Sequence, residues 1–177
     1  MAILTTYIST PIGELMAGAT DAGICLLDFR YRRMIDSVKA RIGGQLEDDF
    51  TAGEHPHFEG LRRQLGEYFG GVRKDFDLPL QLAGTDFQKI VWQALREIPF
   101  GETRSYKAQS ILLKAESAIR AIARANGENG LMLLIPCHRV IGESGSLVGY
   151  AGGLPAKAWL LAHERKVAGK EVQGALF

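Results

Sequence analysis

The placement of turn residues in the first thirty positions leaves this chain few ways to begin. Pro11-Ile12-Gly13 and Asp21-Ala22-Gly23 cut the stretch into three short β-rich runs, Ile3 to Ser9, Leu15 to Thr20 and Ile24 to Phe29. Short runs separated by tight turns pair most readily with their sequence neighbours, so they predict an antiparallel meander. The apolar period then changes. Met34, Ile35, Val38 and Ile42 recur at helical spacing, and Gly43-Gly44 is expected to end that helix. Gln45 to Glu54 is polar and acidic and reads as a surface loop. A second helix starts near Pro56, with Phe58, Leu61, Leu65 and Phe69 as its stripe and Gly70-Gly71 as its stop. Phe76 to Leu82 reads as a strand or extended linker, because Pro79 argues against a central strand. His55 and His57 flank Pro56 and read as solvated loop histidines; a metal role together with Cys25 is the competing reading.

The second half is organised differently. Thr85-Asp86-Phe87-Gln88 has the form of a capping box, opening a helix that carries Phe87, Ile90, Val91, Leu95 and Ile98. Pro99 to Glu102 breaks it. Ser105 is placed to cap a helix through about Leu113, and Ser117 another from Ala118 to Asn126, closed by Gly127. Two short helices joined by a tight turn predict a helix-turn-helix. Asn129-Gly130 turns the chain into an apolar strand, Leu131 to Ile135, which delivers Pro136-Cys137-His138-Arg139-Val140. A Gly/Ser-rich loop spans Gly142 to Gly153, Pro155 opens a final helix with Ala158, Leu160, Leu161 and Glu164, and the tail after Lys166 is expected to be mobile. The fold class is therefore α/β: a small N-terminal antiparallel sheet with helices over residues 1–83, then a mainly helical domain with a helix-turn-helix over residues 84–177.

Charge follows the same division. Residues 1–84 hold nine Lys/Arg against twelve Asp/Glu, and residues 85–177 hold twelve against eight. The basic half suits contact with phosphates, although charge alone serves a solvated face equally well. No run approaches the roughly 18 apolar residues of a membrane span, and the N-terminus lacks a secretory pattern, so a cytoplasmic protein is expected. The two cysteines, Cys25 and Cys137, would be thiols in such a compartment. Neither has a second cysteine at zinc-binding spacing, so no metal is expected.

Cys137 is the residue whose setting points to chemistry. A lone cysteine is more often a buried small hydrophobe than a nucleophile. Here His138 and Arg139 follow at once, and cationic or basic neighbours raise the thiolate fraction on which sulfur reactivity depends. If the chain is extended there, Cys137 and His138 point opposite ways, and a bridging water is needed to link them.

Ile135-Pro136-Cys137-His138-Arg139-Val140 resembles the active-site signature of the O6-alkylguanine-DNA alkyltransferases, the methylated-DNA–protein-cysteine methyltransferases. The resemblance extends to Ser105-Tyr106, Arg120-Ala121-Ile122, Asn129, Gly149-Tyr150, Gly152-Gly153-Leu154 and Leu160-Leu161-Ala162-His163-Glu164, and more weakly to Ser9-Thr10-Pro11-Ile12-Gly13. It implies that Cys137 accepts the alkyl group irreversibly, once per molecule, with no cofactor. His138 would act as base through a water, polarised by Glu164. Asn129 would brace the turn, and Tyr106 would donate to the departing base. Arg120 would fill the gap left by a flipped nucleotide, and Tyr150 would wall the alkyl pocket. The backbones of Cys137, Val140 and Ala151 would read the base edge, while Ala121 would sit on the DNA-facing helix. Arg124, Lys107 and Lys114 would be phosphate contacts. The implied partner is double-stranded DNA carrying alkylated guanine, and O4-alkylthymine is a second candidate lesion. The protein would act as a monomer and not at a membrane.

The chain departs from that family at the turn between the two short helices, where Lys114 and Glu116 replace the usual Gly and Pro. Losing them predicts either a different turn shape or one long helix, and weaker or more salt-sensitive DNA binding. Two other functions remain to be separated by experiment: a non-enzymatic sensor of alkylated guanine, which would not need the thiol, and a cysteine hydrolase, which would need an oxyanion hole and turnover.

Overall fold

The computed structural model describes residues 2–170. The chain divides into two compact units: one runs to Thr85 and takes in Gly130–Met132, and the other comprises Asp86–Asn129 and the chain from Leu133 onward.

In the first unit, β1 (Ile3–Thr10), β2 (Gly13–Thr20) and β3 (Gly23–Phe29) form the expected antiparallel meander. The sheet is nevertheless mixed. A fourth strand, β4 (Phe50–Ala52), lies parallel to β1, giving the order β3-β2-β1-β4. β4 falls inside the stretch expected to be a loop. Three residues carry too little pattern to announce a strand whose partner is more than forty positions away in sequence.

The helix α1 (Ile35–Leu46) also departs from expectation, running through Gly43-Gly44 and ending at Glu47 in the left-handed conformation, φ 55°. The buried side chains Val38 and Ile42 hold it against the sheet core of Ile3, Met16, Cys25 and Leu26. A Cβ on Gly43 would stand 3.0 Å from the Asp48 carbonyl, so the glycine permits the chain to fold back rather than stopping the helix. The stripe of α2 (Pro56–Phe69) is as expected at Phe58, Leu61 and Leu65, with Tyr68 buried beside it. His55 is not a solvated residue. Its side chain is 8% exposed, caps α2 by accepting from the His57 amide at 3.1 Å, and bonds Asp21 at 2.9 Å. Cys25 lies in the apolar core, and burial pushes its thiol up to about 12. Among the described residues no group of three or more His, Cys, Asp or Glu is placed to hold a metal ion.

Near Pro79 the chain makes one parallel bridge, Ile24 to Leu80, in which the Pro79 carbonyl accepts from the Ile24 amide at 2.9 Å. Proline can accept there although it cannot donate. On β3, the Leu27 amide donates to Gly130 O at 2.8 Å, and the Met132 amide donates to Leu27 O at 2.7 Å. Leu131 and Met132 thus make an isolated bridge to β3, and Leu133 turns away with φ 70°. The apolar run before Cys137 is therefore not a strand to Ile135. It is apolar because it is buried from Leu131 to Ile135.

The second unit contains α3 (Asp86–Leu95), α4 (Tyr106–Leu112), α5 (Ile119–Gly127), α6 (Leu154–Val167) and a two-residue parallel ladder of β5 (Arg104–Ser105) with β6 (Val140–Ile141). α3 buries Gln88, Val91, Trp92 and Leu95, while Phe87 and Ile90 are 41% and 58% exposed. Val91 and Leu95 of the expected stripe are thus buried, and Gln88 and Trp92 complete an i, i+3, i+4, i+7 face in place of Phe87 and Ile90. Val91 packs with Ile122 and Ala125 of α5, and the Trp92 indole donates to Ala125 O at 2.8 Å. Ser105 caps α4 as expected, accepting from the Ala108 amide at 3.0 Å. Ser117 does not cap α5; it lies in a 3-10 turn, Glu116–Ala118, and Ala118 occupies the cap position. Lys114 adopts φ 53° at the turn, so the helices stay separate without the glycine. α6 ends at Val167, past the expected boundary at Lys166, and the rest of the expected mobile tail from residue 171 lies outside the described residues. No helix among the described residues is long and apolar enough to cross a membrane.

Candidate active site

Cys137 opens a single 3-10 turn, Cys137–Arg139, rather than an extended segment. Pro136 sets it up, and its carbonyl accepts from the Arg139 amide at 3.0 Å. One carbonyl anchors the approach: Ile135 O accepts from the Cys137 amide at 2.8 Å and from Asn129 Nδ2 at 2.8 Å. A carbonyl has two lone pairs, so both bonds are satisfied together. Asn129 is buried and thereby ties the end of α5 to the residue two before the thiol.

Below the turn lies a buried ionic cluster. His138 Nε2 is 2.7 Å from Glu164 Oε2, and the two side chains are each 1% exposed. Arg139 Nε donates to Glu164 Oε1 at 2.8 Å, its Nη2 donates to Oε2 at 3.1 Å, and its Nη1 donates to Ile98 O at 2.7 Å. The Gly101 amide adds a fourth donor at 3.3 Å. Burial works to raise the Glu164 carboxyl, but His138 and Arg139 outweigh it and hold the group well below the usual carboxylate range. Burial lowers the His138 imidazole from its ordinary value, against the pull of Glu164. The charged carboxylate accepts the Nε2–H, which leaves the lone pair on Nδ1. Nδ1 is buried and has no hydrogen-bond partner among the described residues.

Lys157 is fully buried on α6 and spends its ammonium on three carbonyls: Val140 at 2.6 Å, Gly149 at 3.0 Å and Val148 at 3.2 Å. Burial lowers it to about 8, and the charge of Cys137 opposes that shift. Tyr106, at the start of α4, donates its hydroxyl to Val148 O at 3.2 Å. Burial raises its phenol, and the charge of Cys137 raises it further. Both side chains therefore lie within electrostatic reach of the thiol.

A cavity of about 180 Å³ is lined by Cys137, Tyr106, Asn126, Tyr150 and Ala151, with Ala123 and Gly127 at its α5 edge. Arg120, Ala121, Ala123, Arg124 and Gly127 are exposed, so the cavity borders a small-residue, basic face of α5. Of the residues singled out from sequence, Cys137, Tyr106, Tyr150 and Ala151 meet at the cavity. His138 and Glu164 form the cluster beneath the turn, and Asn129 stands behind it. Arg120, Ala121 and Arg124 lie outside on α5. Val140 is buried, and its carbonyl is taken by Lys157. Sequence reasoning missed Lys157, the role of Arg139 and the polar wall residue Asn126. Lys157 stands seven residues before Glu164 on a helix face otherwise carrying Ala158, Leu160 and Leu161, and a lysine on a buried stripe was the available signal.

These features define a class: a two-unit α/β protein whose second unit carries a thiol above a buried His–Glu–Arg cluster, beside a cavity bordering a basic helix. Residues 86–166 match the family described as 6-O-methylguanine DNA methyltransferase, DNA binding domain, and residues 3–82 match its ribonuclease-like domain. A methylated-DNA–protein-cysteine methyltransferase of Methanosarcina barkeri is 41% identical over 89% of this chain and 94% of its own length. The constitutive enzyme of Bacillus subtilis is 40% identical over 90% and 94%. The crystal structure of Mycobacterium tuberculosis OGT in complex with DNA superposes with a TM-score of 0.81 at 38% identity, covering 93% of this chain and 94% of that one. The chain belongs to the 6-O-methylguanine DNA methyltransferase family, the methylated-DNA–protein-cysteine methyltransferases.

Proposed function

We propose that this protein repairs DNA by transferring the alkyl group of O6-alkylguanine to Cys137 Sγ, once per molecule. The observation that carries the reading is the buried Glu164–His138 pair directly behind a cysteine that lines a cavity beside the basic face of α5.

The arrangement of the site supports the following steps. The alkyl carbon on O6 is inside the duplex, so the nucleotide must be flipped out before sulfur can reach it. In this reading α4 and α5 act as a helix-turn-helix. α5 docks through Ala121 and Ala123, Arg124 contacts phosphate, and Arg120 fills the vacated stack. His138 Nδ1 takes the Cys137 proton through a water, and the imidazolium is stabilised by Glu164. Lys157 places a positive charge near the sulfur. The Sγ–C bond then forms as the C–O6 bond breaks, and its electron pair stays on the base. Tyr106 protonates or hydrogen-bonds the leaving ring. Tyr150 bounds the alkyl group, and the backbones of Cys137, Val140 and Ala151 meet the base edge. The thioether is stable, and no group at the site is placed to reverse it. Because nucleophile and base are both side chains, the reaction needs no cofactor. The protein acts as a cytoplasmic monomer on double-stranded DNA, with O4-alkylthymine as a second lesion.

Intact-protein mass spectrometry after mixing with an O6-methylguanine duplex tests this. The expected result is one gain of about 14 Da, a methyl replacing a hydrogen, on the Cys137 peptide at about one equivalent. Binding without any gain overturns the transferase reading and favours a damage sensor.

A further inference from the structure

One residue of the cavity wall, Asn126, belongs to a buried polar pair that the mechanism above does not use. Gln109 of α4 and Asn126 of α5 are 0% and 4% exposed. Their amides bond reciprocally: Gln109 Nε2 donates to Asn126 Oδ1 at 3.0 Å, and Asn126 Nδ2 donates to Gln109 Oε1 at 2.8 Å. Apolar contacts already seat both helices, since Ile122 and Ala125 of α5 bury against Val91 of α3 and Leu113, at the end of α4, packs on that cluster. Two apolar side chains would join the helices without the risk of an unsatisfied amide. The pair therefore calls for a reason beyond packing.

The reason lies in what Asn126 has left over. A primary amide offers two N–H donors and an oxygen with two lone pairs. The reciprocal pair consumes one donor and one lone pair, and Asn126 lines the cavity alongside Cys137 and Tyr106. Any base whose alkyl carbon reaches Sγ shares that cavity with Asn126. Alkylation at O6 removes the proton from guanine N1, so the lesion's ring presents N1, N3 and N7 as acceptors and only its 2-amino group as a donor. O4-alkylthymine likewise presents acceptors at N3 and O2. A second amide N–H on the wall suits either lesion.

We propose that Asn126 donates this hydrogen bond to the extrahelical base, and that Gln109 is the positioning residue that holds the amide in place. The proposal rests on the alkyltransferase reading. Gln109 acts only through Asn126, and it fixes Asn126 by two bonds rather than one, which removes rotation about the Asn126 side chain before the base arrives. That preorganisation favours reaction of the bound base and leaves the outer DNA-binding face of α5 unaltered.

The test compares Gln109→Met and Asn126→Ala with the unaltered protein. Three quantities are read: the transfer rate at saturating O6-methylguanine duplex, the affinity for the same duplex without the lesion, and alkylation of Cys137 by iodoacetamide, which needs no base recognition. The expected result is a transfer rate lowered by about fivefold or more, the equivalent of one hydrogen bond, with duplex affinity and iodoacetamide reactivity within about twofold. The ratio of O6-methylguanine to O4-methylthymine transfer should also shift, because the two bases place their acceptors differently. A purely structural pair predicts a lower unfolding temperature with an unchanged rate and ratio in the folded variants, and that result overturns the proposal. Either variant alone is sufficient, so failure of one to fold leaves the other decisive. If the unaltered protein gains no mass on Cys137, the alkyltransferase reading has failed; if it gains mass and both variants match it, only the role of Asn126 has.

Discussion

Replacing Glu164 by glutamine tests the relay beneath Cys137 most directly, because the two side chains are nearly identical in shape. Glu164 Oε1 accepts from Arg139 Nε and the Gly101 amide, while Oε2 accepts from His138 Nε2 and Arg139 Nη2. In Glu164→Gln the oxygen stays at the Oε1 place, since both donors there, Arg139 Nε and the Gly101 amide, can never accept, whereas at the Oε2 place only Arg139 Nη2 cannot and His138 can change tautomer. The NH2 group then occupies the Oε2 place and points at His138 Nε2. His138 can accept that hydrogen only by moving its own proton to Nδ1, the atom the proposed mechanism uses as base. Two losses follow. Leaving the Arg139 guanidinium without its buried carboxylate lowers stability by about 3 kcal/mol, the lower end of the range for breaking a buried pair while some hydrogen bonds survive. Blocking the base slows transfer by roughly 10² to 10⁴. The assay is the rate of mass gain on Cys137 at saturating O6-methylguanine duplex, at a temperature where circular dichroism shows the variant folded. A folded Glu164→Gln protein that transfers within about threefold of the original rate refutes the tautomer argument.

Three further outcomes follow from the structure. Burial holds the His138 imidazole below its ordinary value of 6.5, so the unfolded chain takes up that proton first as pH falls. Stability should therefore hold above that value and decline below it, and the acid limb of the transfer rate should also lie below it; denaturant titrations and mass-gain rates from pH 8 to 5 check both. Lys114→Gly relieves a left-handed side chain at φ 53° and should raise stability by about 1 kcal/mol in chemical unfolding, without changing the transfer rate. Lys157→Met removes the bonds to Val140, Val148 and Gly149 together with a lysine whose burial lowers it to about 8. These effects oppose each other, so stability should change by less than about 2 kcal/mol. The transfer rate should fall about tenfold as the Tyr106–Val148 wall loosens, the equivalent of one charged hydrogen bond.

Local chemistry explains which elements could be read directly. The meander from Ile3 to Phe29 was legible because each strand pairs with its neighbour across a turn that the sequence spells out. The α4 cap at Ser105 was legible because a cap is decided within four residues. β4 was not, because its three residues acquire meaning only beside β1. The continuation of α1 through Gly43-Gly44 was hidden for the same reason: glycine signals a stop only when nothing buries the residues around it. The run before Cys137 read as a strand because apolar residues mark burial, and burial alone does not distinguish a ladder from an isolated bridge followed by Leu133 at φ 70°.

The sequence by itself determined the thiol, its neighbours His138 and Arg139, the turn at Asn129-Gly130 and the helix that carries Glu164. These are short-range features, and the order of residues dictates them. Only the tertiary structure decided that Arg139 and His138 share one carboxylate, that Lys157 spends its charge on three carbonyls, and that Gln109 pairs with Asn126 of the cavity wall. A buried charge or amide is tolerated only where a partner meets it within hydrogen-bonding distance. Here the partners stand 8 to 26 positions away in sequence, so folding itself brings them together.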